Sequence, residues 1–285
     1  MEWLANISNA IEYIEKNLDQ ELSYDEAARI ACCSTYYFQR MFSYVAGVSL
    51  SEYIRRRRMT QAAFELQSTG RKVLDIALQY GYTSPTAFNR AFKSVHGISP
   101  TAARNEGCVL NAYPPIRFSV EVAGDTPLPY RIEEKEPMRI VGIRLTLTDN
   151  WDHNKVIVPP FWQHALDEGW LPSIHRLSNQ PPQGILGLSV YLNPQEIYYY
   201  IGAATDSPVP QGMHELLIPA AAWAVFEDSG PYRQSVQNIF KRFVTEWLPS
   251  SGYTYAGLPD IEVYPFGDNS QNTPVQVRIG VRPRL

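Results

Sequence analysis

The stretch YYFQRMFSYVAG at 36–47 returns fifty residues later as TAFNRAFKSVHG at 86–97, both obeying F-x-R-x-F-x-x-V-x-G. Pairing each position from 25 to 49 with the position fifty later gives nine identities. They are Asp25/Asp75, Ala27/Ala77, Ser34/Ser84, Phe38/Phe88, Arg40/Arg90, Phe42/Phe92, Val45/Val95, Gly47/Gly97 and Ser49/Ser99. An ungapped match at one fixed offset demands one supersecondary unit built twice. No other feature of the chain limits its fold so strongly.

Each copy reads as short helix, tight turn, second helix. In the first, Ser23 with Glu26 three residues on has capping-box spacing, and Ala27, Ala28 and Ala31 let another helix approach closely. Ser34 restarts a helix with Phe38, Met41, Phe42 and Val45 inward, ended by Gly47 at a position suited to left-handed φ. In the second, Ser84 is the cap, Phe88, Ala91, Phe92 and Val95 form the stripe, and Gly97 closes the helix. An amphipathic helix carrying Trp3, Leu4, Ile7, Ile11, Ile14 and Leu18 precedes both copies. A helix from about Ser51 to Gln67 joins them, roughly 25 Å long at ~1.5 Å per residue. That strut suits two reading helices set about one DNA turn apart, ~34 Å.

With the stripes inside, the first reading helix is expected to expose Tyr36, Tyr37, Gln39, Arg40 and Ser43. The second is expected to expose Pro85, Thr86, Ala87, Asn89, Arg90 and Lys93. Arg bonds guanine edges bidentately, and Gln or Asn bonds adenine. Ser, Thr, Tyr and Lys more often serve phosphates, and a bare phosphate role stays open for Arg40 and Arg90 too. Charge agrees with a nucleic-acid partner for this half. Residues 34–104 carry ten Lys/Arg against three Asp/Glu, a net of +7, whereas residues 108–285 carry thirteen against eighteen, a net of −5. The run Arg55–Arg58 points around its helix, so at most one or two of the four share a DNA-facing side, and the rest are expected in solvent or paired with Glu52 and Glu65.

The two blocks AARIACCSTYYFQRMFSYVAGVSLSEYIRRRRMTQAAFEL and VLDIALQYGYTSPTAFNRAFKSVHGISP resemble the paired helix-turn-helix subdomains of AraC/XylS-type transcription regulators over about residues 5–105. The resemblance implies a seven-helix domain on two successive major-groove segments of double-stranded DNA. It also puts base contacts at Tyr36, Gln39 and Arg40 and at Pro85, Thr86, Asn89 and Arg90, where Pro85 lacks a donor.

After RNEGCVLNAYPPIRF, which ends helical periodicity at Pro114-Pro115, the pattern turns to alternating strands. These are IRFSVEVAG, RIVGIRLTL, GILGLSVYL, IYYYIGAA, AAWAVFED, DIEVYPF and VQVRIGV, with helices at about 155–168 and 231–247. The words W-L-P-S recur at Trp170–Ser173 and Trp247–Ser250, and each half runs strand, helix, two strands. The expected chain is therefore multidomain: an all-α domain with two helix-turn-helix subdomains at 1–107, a linker and first strand at 108–124, and an α+β domain of duplicated β-α-β-β units at 125–285. At 285 residues with 45% apolar content, two cores can be buried.

The second half resembles the GyrI-like effector-binding domain through YRIEEKEPMRIVGIR, LLIPAAAWAVFEDSG and LPDIEVYPF. The resemblance implies an aromatic cleft with a buried acid that takes amphipathic or cationic ligands, and the matching acid is Glu262. Alternation places Glu262 opposite Ile261 and Val263. Solvation, or pairing with Arg278, is the competing reading. Candidate lining rings are Tyr264, Phe161, Trp162, Tyr199 and Trp223.

Cys32, Cys33 and Cys108 fit no disulfide or metal spacing, and the first two are expected to pack as small apolar residues between helices. His153, His164, His175 and His214 are scattered. Neither cofactor, metal, signal peptide nor membrane span is expected, which makes the protein a cytoplasmic one. The sequence thus points to a DNA-binding regulator rather than an enzyme, with a small-molecule effector and RNA polymerase as further partners. Two other readings of the second half are a protein-interaction module and a small-molecule hydrolase, for which no second acid stands out beside Glu262.

Overall fold

Serine side chains start the reading helices and the strut. Ser34 Oγ accepts from Tyr37 N at 3.2 Å, Ser49 Oγ from Glu52 N at 3.2 Å and Ser84 Oγ from Ala87 N at 3.4 Å. The computed structural model describes residues 2–117, 126–193, 195–264 and 274–284. Two compact units emerge, Met1–Ser119 and Val120–Leu285.

The first unit holds α1 (Glu2–Lys16), α2 (Tyr24–Ile30), α3 (Thr35–Ala46), α4 (Leu50–Ser68), α5 (Val73–Gln79), α6 (Pro85–His96) and a 3₁₀ turn, Ala102–Arg104. Gly47 at φ 69° and Gly97 at φ 78° end α3 and α6 in the left-handed region, each returning its N–H to the preceding turn. Ser23 caps α2, but Glu26 turns to Arg29 instead of completing the capping box. There are two cores. One gathers Ile7, Ile11, Ile14, Phe38, Phe42, Leu50 and Tyr53; the other gathers Met59, Ala62, Leu66, Ile76, Phe88 and Phe92. The strut α4 therefore gives its first half to one helix-turn-helix and its second half to the other.

The arginine run fastens that strut. Arg57 is 4% exposed and pairs with Glu15 of α1 at 2.7 Å, while also donating to Tyr113 O. Arg58 donates to Leu18 O and Gln20 O, Arg55 to Glu52 and Ser94, and Arg56 to Glu52. The expected pairing with Glu52 holds for Arg55 and Arg56, whereas Glu65 takes Arg71 at 2.6 Å and the buried Arg57 has Glu15 instead of solvent. Residues 108–116, expected to belong to a linker, pack on the first unit. Asn111 N donates to His96 Nδ1 at 3.2 Å, Tyr113 N to Thr60 Oγ1 at 3.1 Å and Ile116 N to Tyr53 Oη at 3.2 Å. The strand expected at 116–124 falls mainly outside the described residues, and Ile116 and Arg117 are not in a strand.

The second unit runs β1 (Tyr130–Lys135), β2 (Met138–Thr146), α7 (Trp151–Asp167), α8 (Trp170–Leu177), β3 (Ile185–Asn193), β4 (Glu196–Ala204), β5 (His214–Ile218) and β6 (Ala221–Ser229). It continues through α9 (Tyr232–Arg242), a π turn (Phe243–Trp247), α10 (Leu248–Ser250), β7 (Tyr253–Tyr255), β8 (Asp260–Tyr264) and β9 (Pro274–Pro283). One antiparallel sheet has the order β1-β6-β9-β8-β3-β4-β2-β5, with β7 beside β9. The two halves meet at β3 and β8, where Gly187 faces Glu262 in register. Each half contains the expected strand, helix and two strands. Each also lends one further strand to the other half, β1 to β6 and β5 to β2.

The two sheet faces differ. Phe226 packs under Phe243 and Trp247 on the helix side, with ring centroids 5.7 and 5.6 Å away. The opposite side holds a separate core of Ile140, Leu186, Leu188, Tyr200, Trp223, Val225 and Ile261.

Candidate functional site

The second helix-turn-helix presents its polar face as expected. Thr86, Asn89, Arg90 and Lys93 are exposed, while Phe88, Ala91, Phe92 and Val95 are buried beneath them. Tyr82 meets Phe88 edge-on at 5.6 Å, which fixes α6 against the turn before it. That turn needs Gly81: φ is +83°, and an added Cβ would lie 3.1 Å from Arg58 Nη1.

The first helix-turn-helix departs from expectation. Tyr36, Tyr37, Gln39 and Arg40, expected on an open face, are 2–6% exposed, and Ser43 is half-buried. Arg40 lies back along α3 on Tyr44, with Nε 3.4 Å from the hydroxyl and the guanidinium 5.6 Å from the ring centre. A tyrosine one turn on gives that guanidinium a seat along its own helix. Cys32 is also corrected. It is exposed at φ 56° in the turn, at the place that turn geometry gives to Gly81, forty-nine positions on, in the second copy, and only Cys33 packs inward. Burial, then the neighbouring Cys32, pushes the Cys33 thiol up to about 12, so it is no thiolate at neutral pH.

In the second unit Glu262 of β8 is 9% exposed on the helix side of the sheet. Its Oε2 accepts from Tyr264 Oη at 2.8 Å and from Tyr199 Oη at 3.2 Å, and Trp162 Nε1 of α7 donates to Tyr199 Oη at 3.1 Å. The rings enclose this relay. Trp162 and Tyr264 stand edge to face at 5.1 Å, Trp162 and Tyr199 at 6.4 Å, and Tyr232 meets Tyr264 at 5.5 Å. A carboxylate wired to aromatic hydroxyls and walled by rings attracts a cation twice, by charge and by the ring quadrupoles.

Of the expected lining residues, the structure brings Glu262, Tyr264, Trp162 and Tyr199 together. Phe161 is half-buried and takes no part in the ring contacts among the described residues; successive helical residues do not share a face. Trp223 belongs to the opposite side of the sheet, because three residues separate it from Phe226 and alternation reverses its direction. Arg278 lies on that opposite side as well and pairs with Glu133 at 2.8 Å, not with Glu262. Sequence reading missed Tyr232 and Gly187. An added Cβ on Gly187 would fall 2.5 Å from Tyr199 Oη and 3.1 Å from Glu262 Oε2, so only glycine leaves room for the relay. The one available signal was a glycine inside an apolar strand.

Among the described residues no group of three or more His, Cys, Asp or Glu is placed to hold a metal, and no helix is long and apolar enough to cross a membrane.

Comparison with known proteins gives two family matches: a helix-turn-helix domain over residues 27–106 and the GyrI-like small molecule binding domain over residues 128–282. The Transposon Tn10 TetD protein of Escherichia coli is 44% identical over 98 residues, 34% of this chain and 71% of TetD. The Right origin-binding protein of Escherichia coli K12 is 27% identical over 270 residues, covering 90% of this chain and 89% of its own. Among solved structures, SAV2435 with tetraphenylphosphonium bound has a TM-score of 0.50 at 22% identity, covering 54% of this chain and 94% of that one, a likeness of fold. The chain therefore belongs to the AraC-type DNA-binding transcription regulators that carry a GyrI-like domain.

Proposed function

We propose that this regulator is a sensor whose second unit binds a small amphipathic cation at Glu262 and whose first unit reads DNA through two helices. The observation that carries the ligand reading is the buried Glu262 carboxylate, hydrogen-bonded by Tyr199 and Tyr264 and walled by Trp162. Keeping a carboxylate out of water is costly, and a cation set against ring faces offsets that cost. A protein of the same fold was solved with a lipophilic phosphonium, which makes tetraphenylphosphonium the natural probe. In α6, Arg90 and Asn89 read base edges, while Thr86 and Lys93 hold phosphates. In α3, Gln39 and Arg40 do the same with Tyr36 and Ser43 once they leave their buried positions. Effector binding biases DNA occupancy only if the ligand prefers one conformational state over another.

The test uses the whole chain in two arms. Duplexes selected from a randomised pool are compared with random duplex, and Arg90→Ala is expected to lose ~1–3 kcal/mol of that preference. Tetraphenylphosphonium is titrated by tryptophan fluorescence, and Glu262→Gln is expected to weaken it about tenfold or more, ~1.4 kcal/mol. An unchanged sequence preference overturns the reading role of Arg90. Equal affinity for both proteins overturns the cation site.

A further inference from the structure

The run Arg55–Arg58 sits where the strut α4 passes from one core to the other. Leu50, Tyr53 and Ile54 belong to the first core, and Met59, Ala62 and Leu66 to the second, so the four arginines fill the stretch between them. Four successive residues make a full helical turn, ~6 Å of axis at ~1.5 Å each, and their side chains leave it in every direction.

Each direction meets a different part of the unit. Arg58 donates through Nε to Leu18 O at 2.8 Å and through Nη2 to Gln20 O at 2.9 Å, both in the first helix-turn-helix head. Its Nη1 lies beside Gly81, in the turn of the second head. Arg55, braced by Glu52, reaches Ser94 of α6. Arg57 joins Glu15 of α1 to the carbonyl of Tyr113, which packs on the second core, and Arg56 lies 5.0 Å from the centre of the Tyr113 ring.

These bonds differ in kind from the contacts above and below them. Apolar contact is non-directional, so two cores threaded on one helix give little resistance to a twist about it. Guanidinium bonds are directional, and a planar fork held on two carbonyls tolerates little rotation. The strut thus carries angle-fixing contacts at the place where a twist between the heads is taken up.

We infer that Arg55 and Arg58 are positioning residues for DNA reading: they fix the angle between the two heads and, through it, the half-site spacing that the protein accepts. The inference rests on the two-helix reading proposed above. Neither residue touches a base in this role. One base pair more or less between the half-sites turns one against the other by about 35° and shifts it by about 3.4 Å. A fixed angle rejects that change, and a loose one follows it.

The test measures the whole chain by fluorescence anisotropy on a duplex selected from a randomised pool. The comparison duplexes have one or two base pairs inserted or removed between the half-sites, or carry one half-site alone. The unaltered protein is expected to lose about tenfold or more in affinity when the spacing changes by one base pair. Arg58→Lys keeps the charge, and with it the general attraction to phosphate, but its single nitrogen cannot reproduce the fork on Leu18 and Gln20. It is expected to bind the altered spacings within about threefold of the selected one, with half-site affinities within about twofold of the unaltered protein. Arg55→Lys, which disturbs only the contacts with Ser94 and Glu52, should flatten the profile in the same direction. A merely structural role weakens every duplex alike, so a spacing profile of unchanged shape in Arg58→Lys, whatever its absolute affinity, overturns the inference. The unaltered protein decides without any variant as well. If the whole duplex binds more tightly than either half-site yet every spacing is tolerated, the inference falls and the two-helix reading stands. If the whole duplex binds no more tightly than its better half-site, both fall together.

Discussion

Gly187→Ala tests whether the Glu262 relay is a preorganised site or an accident of core packing. The added methyl carbon would sit 2.5 Å from Tyr199 Oη, 3.1 Å from Glu262 Oε2 and 3.3 Å from Trp162 Cζ2, against ordinary contacts that begin at 3.4 Å. The tyrosine hydroxyl must retreat by about 0.5 Å to escape outright overlap and by about 0.9 Å to reach an ordinary contact. It now holds bonds of 3.2 Å to Glu262 and 3.1 Å to Trp162, both near the outer limit of hydrogen bonding, so a shift of that size is expected to break at least one of them. Overpacking of this kind costs about 1–3 kcal/mol. Urea unfolding followed by tryptophan fluorescence should show that loss, and tetraphenylphosphonium affinity should fall by about tenfold as the relay opens. Because the closest atom is the hydroxyl itself, Tyr199→Phe should restore at least ~1 kcal/mol in the Gly187→Ala background although it weakens the site alone. If Gly187→Ala leaves stability within about 0.5 kcal/mol and affinity unchanged, the relay is not rigid and the reasoning fails.

Two further outcomes follow from ion pairs. Arg57→Met strands Glu15 beside α4 and frees the Tyr113 carbonyl, so unfolding of the first unit should be easier by about 3–5 kcal/mol; the double variant with Glu15→Leu should recover much of that, and a loss below ~1 kcal/mol would show the pair to be dispensable. Burial pushes the Glu133 carboxyl up, but hydrogen bonds from Arg131 and Arg278, with Lys135 adding to them, overcome it and hold the group at about 2 against an ordinary 4.5. A folded-state value below the unfolded one stabilises in full above pH 4.5 and is lost as pH falls toward 2, a contribution that solvent screening of the partly exposed pair holds to about 1–2 kcal/mol. Stability measured down that range should fall less steeply for Glu133→Gln, and parallel curves would refute the assignment.

The α-helical half was largely legible because its signals are local. Ser34, Ser84, Gly47 and Gly97 mark ends by chemistry that acts within one turn, and the phenylalanine spacing gives the inward stripe. The use of Arg57 and Arg58 was not legible, since their partners Glu15, Leu18 and Tyr113 lie about forty to fifty-six positions away. In the second half AAWAVF is apolar throughout, so it announces a strand buried on both faces without telling Trp223 from Phe226. Glu262 stood out as a charge inside an apolar strand. Tyr232 and Gly187 join the site only through pairing across the sheet and the seating of α9.

The exchange of edge strands ties the recognition chemistry to the architecture. Trp162 and Tyr199 come from one repeat, Glu262, Tyr264 and Tyr232 from the other, and the hydrogen bond between Tyr199 and Glu262 crosses the line where the repeats abut. Since β1 completes the partner repeat and β5 returns the favour, neither repeat is whole by itself, and cutting the chain between them would leave each with an orphaned edge. A cation bound there as proposed would touch both repeats, so a hinge of one against the other would alter its contacts.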